Sequence, residues 1–168
     1  GIRDYKVTGV QTCALPICEV AVLLDAVRYQ DSQTSEPNET VVVDLLRLLT
    51  DRSAELARSR SELAALAKDG KLPVTRQLGY VALIAADGKP EGAWELASAS
   101  TGSLLDLVRA VGWIRDPSQK TALYPKLESL LNGLPPALAA KDSSKAALGR
   151  YVRVELPGPM RTLTNRKS

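Results

Sequence analysis

Arg76 to Ala86 reads RQLGYVALIAA, and its reading decides the fold. Leu78, Val81, Ala82 and Ala85 recur at helical spacing, and the residues between them are also largely apolar, so the stretch predicts a helix covered on more than one side. Pro73 stands where a first helical residue tolerates proline, which sets the start. Asp87-Gly88 supplies the stop, giving a helix from Pro73 through about Ala86.

Working outward, the same period recurs on both sides. Glu19–Gln30 carries Val20, Leu23, Leu24 and Val27 on one face, and the polar stretch Asp31–Glu36 breaks it. Pro37-Asn38 opens a helix through about Arg52, with Val42, Leu45, Leu46 and Leu49 inward and Val41 and Leu48 widening the apolar face. Ser53 is placed to cap a third helix through Lys68, with Leu56, Leu63, Leu66 and Ala67 as its stripe; Gly70 follows as a left-handed terminator. Beyond the opening stretch, Pro90 starts a helix through about Ser98, and Ser103 one that ends near Trp113. Asp116-Pro117 is an N-cap followed by proline, opening a helix that runs to Asn132-Gly133 with a kink or break expected at Pro125. The fold class is therefore all-α: about seven short helices in residues 19–133, packed as αα-hairpins in a right-handed stack.

From Leu134 the character changes. Pro135-Pro136 stops helix formation, and 134–149 reads as a linker. Arg150–Leu156, RYVRVEL, alternates like a strand with Val152 and Val154 on one face, and one strand has no partner within this chain.

Composition excludes several chemistries. The 168 residues include no His, so Ser-His-Asp and Cys-His catalysis, His-ligated zinc and C-x-x-C-H haem attachment are ruled out. Cys13 and Cys18 have a spacing that fits no common zinc or redox motif. There is no G-x-x-x-x-G-K, G-x-G-x-x-G, G-x-S-x-G or S-x-x-K sequence and no EF-hand loop. No catalytic, cofactor-binding or metal-binding residue is assigned, and no cofactor. The Asp69–Lys71 and Asp87–Lys89 turns read as helix termini rather than a paired acid/base site, and Trp94 and Trp113 as core rather than the walls of a ligand groove. Asn38-Glu39-Thr40 is a glycosylation sequon by pattern alone.

Three resemblances organise these pieces. Gly1–Asp4 and Val7–Ile17, within GIRDYKVTGVQTCALPIC, back-translate to a sequence that resembles a widely used short-read sequencing adapter, with Tyr5-Lys6 filling the index positions. NRKS at 165–168 resembles the opposite adapter strand, so residues 1–18 and 165–168 are expected to be non-native tails. Without Arg3, Lys6, Arg166 and Lys167 from the 22 basic residues and Asp4 from the 19 acidic ones, the remainder is neutral. The basic balance then implies neither nucleic acid nor a membrane surface.

Arg76–Ala86 also resembles the inner helix of a HEAT repeat, and the turn motif recurs as AKDGKLP at 67–73 and AADGKP at 85–90. GRYVRVELPG at 149–158 with RTLT at 161–164 resembles the entry strand of a discoidin-like, coagulation-factor type C module, so 150–164 is expected to be the truncated start of that β-sandwich. The order of helical block, linker and strand resembles large multidomain bacterial proteins that are secreted or periplasmic. The resemblance implies a non-catalytic helical spacer whose partners are the neighbouring domains of a parent protein, and other proteins met through the helical surface, with no membrane span. The alternative is the scaffold of an enzyme or electron-transfer protein whose active residues lie outside this fragment.

Overall fold

The computed structural model describes residues 20–33 and 38–132, which are mostly helical with no strand among them. The expected tails at 1–18 and 165–168, the linker at 134–149 and the strand at 150–156 lie outside the described residues.

Helix α1 (Val20–Ser32) buries Val20, Leu23, Leu24 and Val27, the stripe its spacing implies. Helix α2 (Glu39–Thr50) starts at Asn38, whose side chain accepts the Val41 N–H at 3.3 Å and satisfies one of the donors a helix start leaves over. Val42 and Leu49 are buried; Leu48, which the sequence places on a widened apolar face, is 54% exposed.

The single helix expected over Ser53–Lys68 is interrupted. It forms a one-turn α3 (Ser53–Leu56), a 3₁₀ turn over Ala57–Ser59, and α4 (Arg60–Asp69). Leu56 and Leu63 anchor either side in the core, but Ala57, Arg58 and Arg60 between them are exposed, so no packing holds that turn to regular α geometry.

Gly70 ends α4 in extended backbone (φ −55°, ψ 134°), not in the left-handed conformation its sequence position suggests. Glycine is required there for space: a Cβ would sit 2.7 Å from the Leu66 carbonyl oxygen. The left-handed terminator is Gly88 (φ 66°), which closes the next helix.

That helix, α5 (Pro73–Asp87), is the centre of the fold. Val74, Thr75 and every residue from Leu78 to Ile84 are buried. It packs against α2, α3 and α4, and against α6 (Glu91–Ala97) and α7 (Thr101–Ala110). At Gly79 the α4 backbone comes so close that a Cβ would lie 2.6 Å from the Ala67 nitrogen. The missing side chain is what permits this crossing.

Helix α7 starts two residues before the expected Ser103 because Ser100 is its cap, accepting the Ser103 N–H at 3.0 Å. It tightens into a 3₁₀ turn over Val111–Trp113. Helix α8 (Pro117–Asn132) is capped by Asp116, which accepts from the Ser118 N–H (2.8 Å) and hydroxyl (2.7 Å). It continues through Pro125 without the expected split. The cost is the hydrogen bond that the Thr121 carbonyl would have accepted from residue 125, and Thr121 is exposed, so water can replace it. Leu123, Leu127 and Leu130 join α8 to the common core.

Candidate functional site

Polar groups inside the fold are few, and their contacts separate structural roles from free chemistry. Asp31, 9% exposed at the end of α1, accepts the backbone N–H groups of Lys71 (2.8 Å) and Leu72 (2.9 Å). Arg76, on the first turns of α5, gives its Nε–H to Asp106 of α7 at 2.7 Å and its Nη1 hydrogens to the Gly70 and Lys71 carbonyls at 2.9 and 3.0 Å. The two acids and one guanidinium thus clamp the α4–α5 loop between α1 and α7, and these bonds serve structure. Sequence reasoning missed the clamp, although a lone acid within Leu104–Val108 is the cue that an apolar face carries a paired charge.

The two Asp-Gly-Lys turns do not meet. Helix α5, about 22 Å long for its 15 residues, stands between them. Asp87 is held by Arg60 in a two-pronged pair, Nε to Oδ1 at 2.6 Å and Nη2 to Oδ2 at 3.0 Å, which also raises the Arg60 pKa. Asp69 lies at a different place, on the rim of a cavity of about 660 Å³ between α4, α6 and the start of α7.

Two hydroxyls, Thr75 Oγ1 and Tyr80 Oη, are buried without a partner at hydrogen-bonding geometry. Burial pushes the Tyr80 phenol above its ordinary range, and nearby Ser103 offsets only part of that. Among the described residues no group of three or more His, Cys, Asp or Glu is placed to hold a metal ion. No described helix is long and apolar enough to cross a membrane.

The tryptophans divide. Trp94 packs against the core with Lys126 Nζ 5.7 Å from its ring centroid, as the core reading expects. Trp113, expected in the core, is instead 40% exposed. The 3₁₀ turn buries Val111 and Ile114 and leaves the indole outside. It lines two adjoining clefts of about 290 and about 300 Å³, which share Thr50, Val81, Trp113 and Arg115. Arg47 lines one and Gln119 the other. Arg115 pairs with Asp51 at the end of α2, closing the rim. These clefts are the candidate site, and the residues offer recognition chemistry: an aromatic face, an aliphatic floor and guanidinium donors, with no nucleophile–base pair.

Compared with known proteins, the chain matches no family model, no curated protein and no solved structure.

Proposed function

We propose that the helical region is a non-catalytic structural and interaction module, a HEAT-like spacer in a multidomain extracytoplasmic protein that holds a discoidin-like module at a fixed distance from its other domains. One observation carries this reading. Counting α3 and α4 as one unit, the principal helix packings all join units adjacent in the chain or separated by one: α1 with α2, α2 with α5, α4 with α5 and α6, α5 with α6 and α7, α6 with α7. That is the pattern of a stack in which each unit touches its near neighbours. The ion pairs Arg28–Glu62 (2.7 Å) and Arg76–Asp106 follow the same rule, whereas Arg115–Asp51 reaches further, from the end of α2 to the turn before α8.

The test is recovery of the coding sequence across both ends of the fragment from its source DNA. Further β-strand sequence after RTLT, and metal- or haem-ligand motifs of redox domains before Glu19, are the expected result. A catalytic motif contiguous with Glu19, in the same helical domain, overturns the reading.

A further inference from the structure

We propose that the Arg60–Asp87 pair is a latch: it holds Ser53–Asp69 in two pieces, and when it opens the segment joins into one helix that re-seats α3 against α2 and α5. The sequence favours the joined form. No glycine, proline or β-branched residue occurs from Ser53 to Asp69, and the strong helix formers alanine, leucine, arginine and glutamate dominate it. An uninterrupted helix would set Leu56 and Leu63 within about 20° of each other on one face, continuous with Leu66 and Ala67. Yet the chain tightens into a 3₁₀ turn over Ala57–Ser59, a form that inside a helix often marks a hinge. Ala57 and Arg58 are exposed, so core packing does not impose the break.

What does impose it lies directly after the turn. Arg60, the first residue of α4, holds Asp87 at the end of α5 with both prongs, Nε to Oδ1 at 2.6 Å and Nη2 to Oδ2 at 3.0 Å. The pair rests on α6 at Gly92, where a Cβ would lie 2.6 Å from Arg60 Nη2 and 2.7 Å from Asp87 Oδ2. Joining the helix replaces three 3₁₀ residues by α residues, each turning about 100° instead of 120° and rising about 1.5 Å instead of 2.0 Å. Helices α3 and α4 then rotate relative to one another by about 60° and close by about 1.5 Å, a displacement that a bidentate pair does not follow. The far end of α4 stays fixed, because the Gly79 crossing pins Ala67. Its first turn has room to move: Arg60, Ala64 and Lys68 face a cavity of about 660 Å³, across from Gly92, Glu95 and Leu96 of α6. The Arg60 side chain is 52% exposed, so solvent ions reach the latch and can release it.

The experiment opens the latch in the full chain by three routes: Arg60→Gln and Asp87→Asn each remove one charge, and Gly92→Ala keeps both charges but occupies their place. Backbone Cα chemical shifts and amide hydrogen exchange over residues 53–69 are the readouts. In all three variants the Ala57–Ser59 shifts should move to regular-helix values, with exchange of the 57–60 amides slowed at least about tenfold. In the parent, about 1 M salt should move the shifts the same way. Arg58→Gln, an exposed substitution within the turn, should leave them at parent values. Gly92→Ala removes no charge and adds helix propensity, so it keeps the fold if a charge variant does not. Parent-like shifts in Gly92→Ala and in a charge variant show a break intrinsic to the turn and overturn the latch. Faster exchange across the whole segment, or loss of the fold in every variant, shows a plain brace with no joined state and overturns it as well.

Discussion

Gly79→Ala isolates the contact on which the centre of the fold depends. A methyl at this position would lie 2.6 Å from the Ala67 nitrogen, 2.8 Å from its Cα and 3.1 Å from the Leu66 carbonyl carbon. All three are backbone atoms, so no side-chain rotation relieves the clash and α4 must retreat by roughly 1 Å. A gap of that size forfeits roughly a quarter to a half of the dispersion energy of the contacts it opens, and Leu63, Leu66 and Ala67 of α4 are buried. Overpacking of this kind costs about 1–3 kcal/mol, and a backbone obstacle places it at the upper end, about 3. Alanine returns about 1 kcal/mol of helix propensity, leaving a net loss of about 2 kcal/mol. At this chain length that lowers Tm by roughly 4–8 °C. The control is Gly102→Ala in α7, where the nearest heavy atom to the new methyl is Ser100 Oγ at 3.9 Å; it should stay within about 0.5 kcal/mol of the parent. Urea unfolding followed by far-ultraviolet circular dichroism measures both. Equal stabilities of the two variants would refute the close α4–α5 crossing.

Other substitutions test the polar interior and the caps. Asp31→Ala strips the acceptor from two N–H groups and should cost about 2–4 kcal/mol, with Asp31→Asn losing roughly half of that; a loss under about 0.5 kcal/mol in the alanine variant would mean the loop does not need its clamp. Tyr80→Phe removes a buried hydroxyl that has no partner, so stability at neutral pH should be unchanged or rise by up to about 1 kcal/mol. Because the folded phenol titrates above its unfolded value of about 10, its contribution is complete below that pH and is lost as pH rises through the folded value. The alkaline fall in Tm should accordingly be shallower in the Phe variant, and superimposable alkaline limbs would count against the burial. Asp116 has the opposite sign: its lowered pKa gives stability that is present above the unfolded value of about 3.9 and lost as pH falls through the folded one. Asp116→Asn keeps a capping side chain but no titration there, so the wild-type advantage at pH 7 should shrink by pH 3, a trend thermal melts at the two pH values will show or deny.

Periodicity made the helices legible because each apolar stripe is a local property of its own segment. Leu23, Leu24 and Val27 on α1, or Leu123 and Leu127 on α8, are buried where their spacing places them. What was not legible depends on local backbone geometry, or on a neighbour distant in sequence, that apolar spacing does not encode. Gly70 looks like a left-handed terminator until the Leu66 carbonyl is placed beside it, and only Gly88 has the positive φ. Trp113 carries the composition of a core residue, yet the 3₁₀ turn that buries Val111 and Ile114 points the indole outward. Arg47 and Arg115 are far apart in the chain and meet only at the clefts, so no spacing rule connects them. The Arg76–Asp106 pair was within reach, since each charge interrupts an apolar run, but naming the partner required knowing that α5 and α7 are adjacent.

The central helix and the polar clamp answer different physical demands. Nonpolar burial around α5 is non-directional, and a helix buried on nearly every side has no stripe that fixes its rotation or its sliding along its neighbours. Two directional features supply what burial lacks. Gly79 admits α4 at one height only, and Arg76 reaches Asp106 and the two loop carbonyls only when α5 and α7 are in one register. A partly buried ion pair is a weak source of net stability, because desolvation offsets much of its attraction. Its better-attested use is to penalise wrong arrangements, which would leave a charge buried and unpaired.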